Sequence, residues 1–259
     1  MRIMCTNDDG ILASGLAIME SAAKRFGDVI TVAPDRERSA ISHALTLNEP
    51  LRVHEVSPDR FALTGTPTDC VWVGLNHVLS EKPDFILSGI NHGPNLGSDI
   101  LYSGTVGAAI EASLHGIPAL ALSFMGDPGE YGERILPLAE ELIGRFIENP
   151  PEARFALNAN IPNPDEVVIQ GIRPTFLGAR YYSQEVVERH DPRGRPYLWV
   201  GGSQVEHATI EGSDCDAVLD GYMSVSTINL NISDPTSVES IAHWKQDFVS
   251  QSSDKEQQL

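Results

Sequence analysis

The chain's first apolar run, residues 2–6, leads straight into two consecutive acids in Asn7-Asp8-Asp9-Gly10. In a regular strand adjacent side chains point to opposite faces, so two carboxylates meet one ion only where the chain turns. Gly10 permits such a turn. Hard oxygen donors of this kind suit Mg²⁺, Mn²⁺ or Ca²⁺ rather than zinc. A structural role competes with this one, because an acid ahead of a helix satisfies free backbone amides. These four residues alone leave both readings standing.

A second cluster, Ala33-Pro34-Asp35-Arg36-Glu37-Arg38-Ser39-Ala40-Ile41-Ser42-His43, follows the next apolar run. Ser39 offers a hydroxyl ligand, and Arg36 or Arg38 has the fork that grips a phosphate through two hydrogen bonds. A solvated charged loop explains the same residues. Ser39 and His43 are also the types of a nucleophile and its base, although no nucleophile-elbow pattern surrounds them.

The third cluster runs Ser88-Gly89-Ile90-Asn91-His92-Gly93-Pro94-Asn95-Leu96-Gly97-Ser98-Asp99, then Tyr102-Ser103-Gly104-Thr105. A glycine-rich loop between a strand and a helix brings backbone amides close to phosphate oxygens at the helix N-terminus. It is neither a Walker loop nor a dinucleotide fingerprint. Asn91 is a neutral oxygen donor for an ion held by Asp8 and Asp9. His92 is a candidate for proton transfer. His115, at the end of the following helix, suits the helix dipole. Cys70 lies in an apolar helical pattern and reads as core.

Alternating strands and helices must position these clusters. Strands are expected at 2–6, 28–33, 84–88, 118–124 and 155–160. The first helix carries Leu16, Met19, Ala23 and Phe26 at helical spacing and ends at Gly27. Thr66-Pro67-Thr68-Asp69 reads as a capped helix start, and Ser103-Gly104-Thr105 precedes a helix over 106–115. This pattern predicts a mostly parallel, Rossmann-like sheet flanked by helices, whose ligands bind beyond the carboxyl ends of the strands. The α/β core is expected over 1–165. Beyond it, extended segments at 167–172, 180–189, 197–200 and 221–230, a turn at 191–194 and a closing helix at 237–248 suggest an antiparallel hairpin appendage over 166–249. Such appendages serve subunit contacts, and residues 250–259 are expected to be a disordered tail.

Composition narrows the function classes. A formal net charge of −18 repels polynucleotide phosphates, so no nucleic-acid polymer is expected as partner. With few basic residues, an anionic substrate needs a metal ion or helix N-termini as its source of positive potential. Three scattered cysteines make no disulfide framework and favour a reducing compartment. No signal peptide or membrane span is apparent, which gives the expectation of a soluble, cytoplasmic protein.

Taken together the motifs resemble the SurE family of survival proteins, which are 5′/3′-nucleotidases. The resemblance is carried by Asn7-Asp8-Asp9-Gly10 with Ala13 and Gly15, Ala33-Pro34 through Ser39 and Ser42, and Gly65-Thr66-Pro67-Thr68-Asp69-Cys70-Val71. It continues through Pro83-Asp84, Ser88-Gly89-Ile90-Asn91-His92-Gly93, Asn95-Leu96-Gly97, and Tyr102-Ser103-Gly104-Thr105-Val106-Gly107-Ala108-Ala109 with Glu111. Asn158-Ala159-Asn160-Ile161-Pro162 is a weaker echo. The match thins after residue 165, where a family signature appears as Gly221-Tyr222-Met223-Ser224-Val225-Ser226-Thr227-Ile228; Ala40 stands where many members carry glycine.

The resemblance implies a Rossmann-like core and a metal-dependent phosphatase acting on nucleoside 5′-monophosphates, with 3′-monophosphates as a further substrate. It implies one Mg²⁺ or Mn²⁺ per subunit, on Asp8, Asp9, Ser39 and Asn91. It assigns the phosphate to Asn95, Ser103, Gly104 and Thr105, and a homodimer or homotetramer to the C-terminal segments. Asp8 and Asp9 carry the catalysis. The attacking group is either a water activated by the ion, which is favoured, or Asp8 itself. Two other readings are a nucleotide-binding regulator without turnover and a metal-independent hydrolase built on Ser39 and His43.

Overall fold

The expected central strands are buried on both faces and pair in parallel, as near-continuous apolar runs do. A computed structural model describes residues 1–152, 155–182, 185–201, 205–233 and 235–245. Its first half comprises β1 (Arg2–Thr6), α1 (Ser14–Ala23), β2 (Asp28–Pro34), β3 (Val53–Ser57), β4 (Arg60–Leu63), α2 (Pro67–Val73), β5 (Phe85–His92) and α3 (Gly104–Leu114). There follow β6 (Ala119–Phe124), α4 (Pro128–Glu148), β7 (Phe155–Ile161), β8 (Gly171–Thr175), β9 (Arg180–Tyr182), β10 (Val186–His190), β11 (Pro196–Val200), β12 (Val205–His207), α5 (Asp214–Leu219) and β13 (Tyr222–Asn229).

Among the described residues, nine strands form one sheet in the order β3-β4-β2-β1-β5-β6-β7-β13-β8. From β4 to β7 every neighbour is parallel. All six residues of β6 are buried. One apolar cluster, with Leu16, Met19, Ile135 and Ile143, packs α1 and α4 on one face. A second, with Val71, Val106, Ala109 and Ile117, packs α2 and α3 on the other. The chain runs outward from β1 to β2, then crosses to β5 on the other side of β1. That reversal places a switch point between the carboxyl ends of β1 and β5, where α/β sheets bind ligands.

Helix starts whose signals are self-contained form as expected. Thr66 caps α2 in a reciprocal box with Asp69, and the Ser103 side chain accepts from the Val106 amide at the start of α3. Elsewhere the structure departs from expectation. The strand expected at 84–88 continues to His92 through an irregularity between Gly89 and Asn91, so Asn91 belongs to a strand rather than a loop. The segment expected at 180–189 is two strands with different partners, β9 with β12 and β10 with β11. Residues 235–244 form a 3-10 helix; Phe248 and the expected tail at 250–259 lie outside the described residues.

The sheet also runs across residue 165. β13 pairs antiparallel with β7, from Ser224 opposite Asn160 to Asn229 opposite Phe155, and parallel with β8. The pattern changes at 165 because parallel crossovers give way to an antiparallel return, which buries serines 224 and 226 as well as apolar residues. Apart from this sheet, β10–β11 is an antiparallel hairpin and β9–β12 an antiparallel pair that encloses it in the chain.

Gly15 lets α1 approach β5. A Cβ there would stand 2.0 Å from the Ile90 carbonyl oxygen, and a backbone atom inside the sheet has little room to retreat. Gly15→Ala is expected to destabilise the fold by about 1–3 kcal/mol, the usual cost of overpacking. Urea unfolding checks this, and an unchanged midpoint would show that the helix shifts freely.

Candidate active site

The turn after β1 is built by Asn7. Its buried side chain donates to the Gly10 carbonyl at 3.0 Å and accepts from the Gly10 amide at 3.2 Å, while Gly10 adopts φ +99°. The chain therefore bends where two adjacent acids need it to. Asp8 turns inward and is 4% exposed. One of its oxygens accepts from the Thr105 hydroxyl and the other from the Thr105 amide at 3.2 Å. Asp9 is half-buried and accepts from the His92 amide at 3.2 Å.

The approach of α3 to Asp8 depends on Gly104. A Cβ at that position would lie 2.9 Å from Asp8 Cβ and 3.0 Å from the Ile41 methyl. The N-terminus of α3 thus points its free amides at a carboxylate, the sign its dipole favours. Thr105 also stands 3.4 Å from Asn91 Oδ1. Its hydroxyl faces two of the predicted metal donors at once.

The loop that carries Ser39 is tied to Asp8 through the preceding residue. The Arg38 amide donates to the Asp8 carbonyl at 2.7 Å, and the exposed Ser39 hydroxyl donates to Glu37 Oε1 at 2.8 Å. The pairing of Ser39 with His43 is not formed among the described residues. His43 Nε2 instead lies 2.7 Å from Glu111 Oε2, so the metal-independent hydrolase loses its base. His115 meets the other oxygen of Glu111 at 3.0 Å.

Asn95 is buried in the glycine loop. Its side-chain amide donates to Ser123 Oγ at 2.8 Å. Its backbone is held by Asn158 and Asn160 of β7, whose amides both donate to the Asn95 carbonyl while Asn160 Oδ1 accepts its N–H. This clamp received no role from the sequence, although two asparagines at period two in a buried strand are a readable sign of a polar job. Asp214 adds a second brace: its two oxygens accept from the amides of Gly97 and Gly178 at 2.8 and 2.7 Å.

Burial raises the pKa of Asp8. Burial first, then the Asp8 charge, pushes Asp9 up to about 6. No lysine or arginine pairs with either carboxylate among the described residues. Cys70, wholly buried, has its thiol raised by desolvation and takes no part.

The family description "Survival protein SurE" matches residues 3–184. The chain belongs to the SurE family. It is 45% identical to the 5′-nucleotidase SurE of Syntrophotalea carbinolica, over 96% of this chain and 99% of that one. It is 44% identical to the 5′-nucleotidase SurE of Gemmatimonas aurantiaca, over 95% and 100% of the two chains. The crystal structure of the SurE protein from Aquifex aeolicus superposes with a TM-score of 0.82 at 37% identity, covering 95% of this chain and all of that one. The SurE fold is accordingly the mostly parallel sheet flanked by helices described here, with added C-terminal hairpins.

The raised acids make a pH prediction for the metal-free protein. Asp9 titrates near 3.8 when unfolded and near 6 when folded, so above pH 4 the folded state holds protons that the unfolded state has released. Stability from this source is full below the unfolded value and is lost as pH rises through the folded one. Asparagine cannot ionise. In EDTA, the Tm gain of Asp9→Asn over the parent should therefore be larger at about pH 8 than at about pH 4. A gain independent of pH would mean that the Asp9 charge is not strained.

Proposed function

We propose that this chain is a metal-dependent 5′-nucleotidase, hydrolysing nucleoside 5′-monophosphates, and 3′-monophosphates as well, to nucleoside and phosphate. The observation that carries the reading is the Asp8–Asp9 pair, desolvated at the switch point and facing a helix N-terminus, with no lysine or arginine paired to it among the described residues. Two such carboxylates call for an ion, and the four proposed donors are all hard oxygens, which fits Mg²⁺ or Mn²⁺. The names of the two bacterial relatives support the same activity.

One ion per subunit would be held by Asp8, Asp9, the Ser39 hydroxyl and Asn91 Oδ1. When bound, it neutralises charge developing on the phosphoryl oxygens. The Ser103 hydroxyl, whose oxygen already accepts from Val106, has its hydrogen left for a phosphate oxygen. Gly104 and Thr105 present amides at the start of α3. Asn95 has one amide hydrogen on Ser123 and offers the other to the phosphate.

Asp8 has both oxygens engaged by Thr105, which supports it as an anchor and a water as the attacking group. Asp9, beside a cleft of about 110 Å³ lined also by Ser14, His92 and Asp127, is the carboxylate that takes the proton of that water. The three free, buried cysteines support work in the reducing cytoplasm. No helix among the described residues is long and apolar enough to cross a membrane.

Phosphate release from AMP should be abolished by EDTA, restored by Mn²⁺, and nearly absent in Asp8→Asn and Asp9→Asn while circular dichroism stays at the parent's. Full activity of both variants at saturating metal would sink the site.

The assembly is proposed to be a homodimer or homotetramer joined through the C-terminal hairpins. Isolated two-stranded ribbons are marginal in water, yet β10–β11 exposes Val186, Val187, Leu198, Trp199 and Val200. Trp199→Glu is expected to lower the molar mass seen by light scattering. An unchanged mass would move the subunit contact elsewhere.

A further inference from the structure

Glu111 has no part in the chemistry proposed above, yet it is 4% exposed and holds two histidines from different parts of the chain. His43 comes from the loop after β2, at 2.7 Å, and His115 from the end of α3 itself, at 3.0 Å. Burial favours the neutral acid, but the hydrogen bonds and charges of the two histidines outweigh it and hold the Glu111 carboxyl below its ordinary range. His115 is fixed in turn, edge-on to Trp72 at 5.2 Å between ring centres.

The loop that Glu111 grips is the one that carries Ser39. It contains two non-glycine residues in the left-handed region, Ala40 at φ 56° and Ser42 at φ 59°. Side-chain-bearing residues keep such values only where their surroundings over-determine them. Here the Ser42 amide donates to the Tyr102 carbonyl at 2.9 Å, and its hydroxyl to the Leu101 carbonyl at 2.7 Å. Gly107 admits the loop against α3, since a Cβ there would meet the Ser42 carbonyl at 3.0 Å. His43, bound to Glu111, is the loop's side-chain anchor on that helix.

The proposed donors differ in how they are supported. Asp8 and Asp9 follow β1 directly, and Asn91 lies within β5. Ser39 alone sits on an exposed loop, with its hydroxyl on Glu37. We infer that Glu111, acting through His43, is a positioning residue that locks the Ser39 loop onto α3 and so brings the Ser39 hydroxyl to the divalent ion. The inference rests on the reading of Ser39 as a metal donor.

The test is Mn²⁺ binding to substrate-free protein, followed by the electron paramagnetic resonance of the free ion. Ser39→Ala, Glu111→Gln and His43→Ala should each weaken binding about 10-fold or more, as loss of a ligand's support does. The double variant Ser39→Ala/His43→Ala should bind no more weakly than Ser39→Ala alone, because the tether acts only through that hydroxyl. His43→Gln, which keeps an N–H for Glu111, should recover most of the affinity, and His115→Gln should stay at the parent value.

A merely stabilising role would lower the Tm without this pattern. Parent-like binding by both Glu111→Gln and His43→Ala would overturn the positioning role, as would additive losses in the double variant. Parent-like binding by Ser39→Ala would overturn the donor reading itself, and the inference with it. His43 lies in a surface loop, so His43→Ala keeps the test open where Glu111→Gln does not fold.

Discussion

A single close approach governs this architecture: the first turn of α3 pressed against the Asp8 carboxylate. Gly104 makes it possible, because any side chain would meet Asp8 and Ile41 at or inside contact distance. Thr105 makes it specific, with amide and hydroxyl on the two oxygens of Asp8. The helix dipole favours one negative charge at that point. A second one, on Asp9, is in excess, and with no lysine or arginine paired to it among the described residues the pair is electrostatically unfinished. In a chain with net charge −18, a bound cation would relieve it.

The convergence on Asp8 is enforced by backbone hydrogen bonds as much as by side chains. The Arg38 amide ties the second loop to the Asp8 carbonyl, and the Ile11 amide ties the first turn to Pro34. The glycine loop is pinned from the other half of the chain, by Asn158 and Asn160 on β7 and by Asp214 at the start of α5. Gly97 sits at φ +51°, where a Cβ would lie 2.7 Å from the Gly178 carbonyl. The residues after 165 therefore do more than extend the surface: they close the back of the loop that leads into α3.

What the sequence made legible was local. Gly10 after two acids, Ser103 ahead of a helix, and Thr66 with Asp69 three residues on are signals whose partners lie within one turn. What stayed hidden depends on pairs far apart in the chain. His43 and Glu111 are 68 positions apart, so His43 could be read only against its neighbour Ser39. Asn95 carried a binding role in the sequence, while its hydrogen bonds to Ser123, Asn158 and Asn160 appear only once β6 and β7 are in place. The edge strand β3 was missed for another reason. Val53–Ser57 is largely exposed, and a strand with one shallow face leaves little apolar periodicity to read.

Asp8 and Asp9 show most directly why residue type alone does not assign a role. They are identical, adjacent and subject to one another's charge. The bend at Asn7 and Gly10 sends the first into the protein, where both oxygens are taken by α3. The second remains at the rim of a small cleft with one amide, that of His92, on its carboxylate. A carboxylate with every oxygen engaged is a fixed anchor. The other is partly solvated, and in the metal-free chain burial and the Asp8 charge raise it to about 6. Environment gives the two acids different surroundings, one sealed against α3 and one at the rim of the cleft, as paired carboxylates in other sites are distinguished. The separation is set by the turn rather than by the residues it carries.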